Sequence, residues 1–461
     1  MNNVVFKILV SFFIGLCFWG CDKKIKSSNS LPKEQPNILL VIADDAGWND
    51  VGYHGSKIKT PVLDSLANNG AKLERFYVAP TCSPSRAALL TGIPASRLGI
   101  VAPIAGKSKI ALPDSLVTLP KAMKKLGYRT ALFGKWHLGL TPENGPQAYG
   151  FDTSYGFLHG QIDQYTHEYK NGDPSWHKNG KFLKEDGHVT DLLTDAAIAY
   201  FNQETKTETP SFVTLAYSAP HFPLQEEERY KRPYRTIFTD SSRVDYAAAM
   251  THLDIAFGRL LNSLKRSGKL DNTLILFMSD NGAMKNWYPK DQYQGKHGPN
   301  TTLGDNTPLK DYKTTNYEGA IRVPAFVYWK NHFNGKTLDD FIGVIDVLPT
   351  LVELTGASVK PNTIEGSSFL NLLNGASQTK IPQLYIRGHL QESIIIPPYK
   401  LIRTRSKKDT LLELYNVVVD PEEAFNLAAS KPIVTNQLHK QLISEFAKDA
   451  ATVNGPEIFD K

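Results

Sequence analysis

Two acidic dipeptides close apolar runs in this chain. Asp44-Asp45 follows Asn37–Ala43, and Asp280-Asn281 follows Thr273–Ser279. Together they offer hard oxygen donors with no sulfur or imidazole beside them, a set suited to Ca2+ or Mg2+ rather than zinc. Asp and Asn also cap helices and turns, and on the residues alone both readings stand. A third candidate is Thr81-Cys82-Ser83-Pro84-Ser85-Arg86, followed by Ala87-Ala88-Leu89-Leu90. Pro84 suits a first helical turn, which puts Cys82 at or just before the positive end of a helix. That place fits a thiolate nucleophile or a group that meets an anion. A small buried thiol is the plainer alternative.

The elements that carry these residues read as an α/β pattern. Asn37–Ala43 and Thr273–Ser279 are almost wholly apolar, as expected of strands buried on both faces. Arg129–Phe133, Ser211–Tyr217 and Val323–Trp329 are further strand-like runs. Helical patterns lie between them at Pro61–Asn69, Leu119–Leu126, Val189–Asn202 and Val244–Ser267. Alternation of this kind predicts a mostly parallel sheet between helices, with ligands bound beyond the carboxyl ends of the strands. The 461 residues are 41% hydrophobic and 21% charged, which excludes a disordered chain, a collagen or a coiled coil. A net charge of +6 without a Lys/Arg-rich run argues against nucleic-acid binding. Three cysteines, Cys17, Cys21 and Cys82, build no disulfide framework.

The Cys-x-Pro-x-Arg motif at Cys82 resembles the signature of type I sulfatases, whose cysteine is oxidised to Cα-formylglycine. The resemblance extends to Pro36–Trp48, Gly134-Lys-Trp-His-Leu-Gly139, His221-Phe-Pro-Leu224, Ser279-Asp-Asn-Gly282 and Lys313…Tyr317-Glu-Gly-Ala-Ile-Arg-Val-Pro324. Leu414-Tyr-Asn416…Asp420-Pro421…Asn426-Leu427 is similar to the family's C-terminal subdomain. Gly150-Phe-Asp-Thr…Tyr155-Gly156 and Leu303-Gly…Pro308-Leu309 look most like the arylsulfatase B branch, which acts on sulfated sugars.

This resemblance implies an alkaline-phosphatase-like sulfatase fold with a small C-terminal α+β subdomain. It implies one bound Ca2+ held by Asp44, Asp45, Asp280, Asn281 and Cys82 as formylglycine (3-oxoalanine), which is also the nucleophile. Such a hydrated aldehyde carries two hydroxyls, one to attack sulfur and one to expel sulfate later. Arg86, Lys135 and Lys313 match the cations around hydrate and sulfate. His137 matches the base that releases sulfate, and His221 the group that protonates the departing sugar oxygen, with Lys313. Lys135 and His137 would share a face if one strand carried both. Asp311-Tyr312 stand where many relatives have small residues. The partners implied are a sulfated carbohydrate (algal ulvan or carrageenan, or a glycosaminoglycan) and a formylglycine-generating enzyme for maturation.

His159-Gly-Gln-Ile-Asp163-Gln-Tyr165-Thr-His167 is rich in hydrogen-bonding and aromatic groups, which suit either sugar recognition or a well-satisfied loop. His297 is a similar substrate-binding candidate. At the start of the chain, Lys7 precedes the apolar stretch Ile8–Gly20, too short for a comfortable membrane span, and then Cys21. This reads as a signal peptide over residues 1–20, with lipidation at Cys21 in the manner of bacterial lipoproteins. Residues 21–35 then form a flexible tether, 36–375 a catalytic domain and 376–461 the small subdomain. The expected location is the periplasm or cell surface, with membrane contact only through the lipid. Two other functions are compatible with these residues: a phosphonate or phosphodiester hydrolase of the same superfamily, and a non-catalytic surface glycan-binding lipoprotein.

Overall fold

A ten-stranded mixed sheet organises the molecule. Its order is Lys336–Leu338, Ala71–Leu73, Ala325–Tyr328, Thr273–Ser279, Asn37–Ala43, Ser211–Ala216, Arg129–Lys135, Thr153–Phe157, Trp176–Lys178 and Lys181–Phe182. The computed structural model describes residues 35–170, 172–203, 209–288, 291–359, 364–378, 381–406 and 410–454. The expected signal peptide, Cys21 and all of the tether but its last residue, Gln35, lie outside them.

The five strands from Thr273–Ser279 to Thr153–Phe157 run parallel, as the βα alternation predicts. Antiparallel pairings appear toward both margins, and the expected Val323–Trp329 strand is shorter, Ala325–Tyr328, and antiparallel to its neighbour. In Asn37–Ala43 the side chains of Ile38, Leu40 and Ile42 enter one core, and those of Leu39, Val41 and Ala43 the other. Burial on both faces is why the run lacks polar alternation. The first core takes Cys82–Thr91, Leu119–Lys125 and Val347–Thr355; the second takes Pro61–Asn69, Val189–Asn202 and Ser241–Arg266. Asp240 starts the long helix by accepting from the Ser242 and Arg243 amides.

A four-stranded antiparallel sheet follows, Leu384–Arg387, Gln391–Ile396, Tyr399–Arg405 and Thr410–Asn416, with the helix Pro432–Phe446 packed on one face. Its other face meets Tyr77, Ala320 and Ile321. Among the described residues, no helix is long and apolar enough to cross a membrane.

Candidate active site

Register brings the acids together. Ala43 pairs with Ser279 in the parallel ladder, and the Asp280 amide donates to the Ala43 carbonyl at 3.1 Å. Asp44-Asp45 and Asp280-Asn281 therefore leave the same edge side by side. Asp45 has φ 68°, a left-handed conformation that turns the chain beneath the site. Its amide donates to Asp280 Oδ1 at 3.3 Å, and its carbonyl lies 2.7 Å from the Tyr246 hydroxyl.

Every one of these acids is buried, and each is matched by a cation. Lys135 Nζ lies 2.9 and 2.7 Å from the two Asp44 oxygens. Lys313 Nζ donates to Asp45 Oδ1 at 2.6 Å, and Arg86 Nε to Asp280 Oδ2 at 2.9 Å. Burial lifts the Asp44 carboxyl to about 7 despite Lys135. Burial acts the same way on Asp45, but Lys313, His221 and Lys135 outweigh it and hold the group at about 2. Gly134 lets Lys135 come this close: it has φ 116°, and a Cβ there would fall 1.8 Å from the Ala216 carbonyl oxygen.

Two acceptors in this cluster are orphans. Asn281 donates through Nδ2 to Asp45 Oδ1 at 2.7 Å and to the Gly282 carbonyl at 2.9 Å, leaving its Oδ1 without a partner. Asp45 Oδ2 is likewise buried and unpartnered. Buried oxygens rarely go unsatisfied. Acceptors of this kind, beside Asp44 and Asp280, fit a hard divalent cation taken up by oxygen ligands.

Cys82 opens the helix Cys82–Thr91 and is buried. The expectation of a thiolate activated by the helix end is not met. Burial pushes the thiol up, and Lys135 and Lys313 offset that only in part. As a plain thiol Cys82 is a poor nucleophile.

His137 does not share a strand face with Lys135, because the strand ends at Lys135 and His137 has φ 60°. Its Nε2 lies 2.8 Å from the Ile104 carbonyl, which can only accept, so Nε2 carries the proton. Nδ1 is then a buried lone pair with no partner. Burial, with Lys135 and Arg86 nearby, holds this imidazole well below its ordinary pKa, so it is neutral, with its lone pair at Nδ1. Ser83, next to Cys82, fixes the arrangement: its hydroxyl donates to the His137 carbonyl at 2.9 Å and accepts from the Ile104 amide at 3.0 Å. His221 is oriented in the opposite sense. Nδ1 donates to the Phe222 carbonyl at 2.6 Å, and Nε2 stands 3.6 Å from Asp45 Oδ2. Burial pulls its pKa down to about 3, against the pull of Asp45.

The sugar-recognition candidates form a tied pair of loops. Gly160 packs on the His137 ring, where a Cβ would meet Cε1 at 2.4 Å. Three residues on, Asp163 Oδ2 lies 2.8 Å from His297 Nε2, while Oδ1 accepts from the Tyr165 and Thr166 amides. Gln161 reaches Gln292 at 3.0 Å. His159 is buried against Ser175 and stacked on Tyr169, and His167 bonds the Gly187 carbonyl and stacks on Trp176. Tyr165 is exposed.

Residues not singled out from sequence support the site from behind. Asp50 binds Arg243 at 2.7 Å and the Tyr246 hydroxyl at 2.7 Å, beneath the Asp45 turn. His188, Glu226 and His252 form a second buried cluster with the spacing of a metal site. However, His188 Nδ1 accepts from the Thr190 amide, so its Nε2 is protonated and faces Glu226 rather than offering a lone pair. His252 lies between Glu226, at 2.6 Å, and Asp191, at 3.4 Å.

Residues 36–357 match the Sulfatase family, and residues 311–449 match the family described as N-sulphoglucosamine sulphohydrolase, C-terminal. The chain is 30% identical to arylsulfatase J of Mus musculus, the match covering 98% of this chain and 84% of that protein. It is also 30% identical to N-acetylgalactosamine-6-sulfatase of Mus musculus, over 80% of this chain and 72% of that one. Among solved structures, Ps i-CgsB in complex with k-i-k-neocarrahexaose is similar at a TM-score of 0.82 and 29% identity, covering 92% of this chain and 95% of that chain. With the paired acids, the cations and the Cys82 helix gathered at one sheet edge, the chain belongs to the sulfatase family, and it is a sulfuric ester hydrolase.

Proposed function

We propose that this enzyme removes sulfate from a sulfated carbohydrate, a carrageenan-type galactan in the first instance, with Cys82 acting as formylglycine and Ca2+ held by Asp44, Asp45, Asp280 and Asn281. The observation that carries the proposal is the set of three buried acids matched by three buried cations around Cys82, with Asn281 Oδ1 and Asp45 Oδ2 left unpartnered. Acids and cations cancel as they stand. A divalent cation would leave the site doubly positive, ready for an anionic ester. The carrageenan class is supported by the bound neocarrahexaose of the similar Ps i-CgsB structure.

When present, the ion and the hydrated aldehyde supply charge neutralisation and a hydroxyl nucleophile. The chain's own residues do the rest. Arg86, Lys135 and Lys313 hold the sulfate in a dry, cationic pocket. Neutral His137 accepts a proton at Nδ1, its other nitrogen being fixed on Ile104. On the opposite side, the Lys313 ammonium is the group that delivers a proton to the departing sugar oxygen, with neutral His221 beside it, its proton on Nδ1 and its Nε2 an acceptor. Maturation by a formylglycine-generating enzyme, export through residues 1–20 and anchoring through lipidated Cys21 belong to the same proposal. On the loops joined by Asp163 and His297, exposed Tyr165 would contact the sugar, while His159 and His167, buried and already bonded to Ser175 and Gly187, would hold the loop in shape.

The test is sulfate release, followed by ion chromatography, from protein co-produced with the maturation enzyme. The panel holds carrageenan, ulvan, fucoidan, chondroitin sulfate and heparin oligosaccharides. Release from carrageenan that is absent in Cys82→Ala supports the proposal. Release only from another member overturns the galactan, and a preference for matched phosphoesters overturns the sulfate.

A further inference from the structure

The segment that presents Lys313 is gripped from outside the sheet. Lys310 Nζ lies 3.1 Å from the Tyr415 hydroxyl and 3.2 Å from the Glu423 carbonyl. The Asn316 amide donates to Gln391 Oε1 at 2.7 Å, and Asn316 Nδ2 to the Ile386 carbonyl at 2.9 Å and the Ser393 hydroxyl at 3.0 Å. The Tyr317 hydroxyl donates to Glu413 Oε2 at 2.7 Å. Each of these partners belongs to the C-terminal sheet or the turn after it. Between them the chain is strained: Asp311 has φ 66° and Thr314 φ 86°. Asp enters this region readily, but a β-branched residue such as Thr314 is held there by its surroundings.

The strongest grip is ionic. Lys400 Nζ lies 2.9 Å from Glu318 Oε1 and 2.9 Å from Glu423 Oε1, and all three side chains are fully buried. Glu423 Oε2 also accepts the Glu318 amide at 2.7 Å, and the Tyr77 hydroxyl donates to Glu318 Oε2 at 2.9 Å. Arg322 stands 3.6 Å from the same carboxylate. Burying an ionic triad is costly, and hydrophobic packing of equal volume would often be as stable. What such a triad does supply is a single fixed arrangement. Here that arrangement ends five residues from the ammonium that holds Asp45.

We infer that Glu423 and Lys400 are positioning residues: through Glu318 they fix the segment that aims Lys313 into the sulfate site, so the C-terminal sheet bears on catalysis through Lys313. This rests on the proposed role of Lys313 as a sulfate-binding cation.

The test is a double-mutant cycle on the full chain, matured and supplied with Ca2+. Glu423→Gln is made in the wild type and in Lys313→Ala, and affinity for inorganic sulfate is measured by calorimetry beside kcat on a carrageenan oligosaccharide. Coupling predicts a loss of roughly tenfold in the wild-type background and under about twofold in Lys313→Ala. Equal losses in both backgrounds, or no loss in a folded Glu423→Gln protein, overturn the inference. If Glu423→Gln fails to unfold cooperatively, Tyr317→Phe decides by the same comparison, with a loss of about threefold expected. Sulfate affinity is read whether or not carrageenan is turned over, so a wrong substrate and a wrong positioning role give different results.

Discussion

Asn281 turns its amide nitrogen toward Asp45 Oδ1, 2.7 Å away, and leaves its own oxygen buried without a donor. Asn300 and Asn316 also bury an unpartnered Oδ1, so what distinguishes Asn281 is its place among the acids of the sheet edge. With Asp45 Oδ2, also unpartnered, it gives the sheet edge two oxygens that a cation can take up. Thermal unfolding should therefore shift upward on adding Ca2+, by about 2.7 kcal/mol of stability at a hundredfold excess over Kd. Asn281→Ala should reduce the shift at fixed Ca2+. An equal shift in both proteins would place the ion elsewhere.

Lys135 faces Asp44 with both oxygens in reach. Lys135→Met should lower kcat by roughly 10²–10³, the usual cost of losing one preorganised charge. It should also destabilise the fold, because Asp44 is left buried and unpaired. Steady-state kinetics beside a melting curve measures both, and a variant with near-native kcat would remove Lys135 from the chemistry.

Gly160 is needed for space and not for backbone freedom. Gly160→Ala would push its methyl to 2.4 Å from the His137 ring, turning Nδ1 away while leaving the sheet untouched. A fall in kcat of at least about tenfold is expected, with little change in melting temperature. Unchanged turnover would show that His137 tolerates reorientation and is not the base.

His252 gives stability a pH dependence of its own, through Glu226 and Asp191. Burial alone would lower its pKa, but the bonds to Asp191 and Glu226 outweigh that and raise it to about 9. A raised folded pKa contributes fully below the unfolded value of about 6.5 and is lost as pH climbs through 9. Stability should thus decline between pH 6.5 and 9, by roughly 3 kcal/mol. His252→Gln should flatten that decline. Identical urea midpoints across the range in the wild type would contradict the charged assignment.

Much of the fold could be read because its central strands are buried on both faces, leaving Asn37–Ala43 and Thr273–Ser279 with almost no polar residue. The acids that end them were legible for the same reason. Harder to see were contacts between distant stretches: Ile104 choosing the His137 tautomer, Asp50 meeting Arg243, Lys400 joining Glu318 to Glu423. No local pattern encodes such pairs. The Cys82 thiol shows a different gap, since a helix end predicts a lowered pKa and the depth of burial, invisible in one dimension, reverses it. Orientation of Ala325–Tyr328 was also hidden, because an apolar run has no direction.

Fractionation offers a simple check at the other end of the chain. If Cys21 carries lipid, the protein should sediment with membranes, and Cys21→Ser should release it to the soluble fraction with activity intact. Soluble wild-type protein would favour an ordinary cleaved signal.

The pairing of each active-site carboxylate with a cation bears on the life of the molecule before it works. Lys135, Lys313 and Arg86 occupy Asp44, Asp45 and Asp280 as internal counterions. The three pairs balance the buried charge within the chain itself, so this centre is electrically closed by its own side chains. If the proposed Ca2+ binds there, its uptake would be an exchange of partners, leaving Lys135, Lys313 and Arg86 available to an anionic ester.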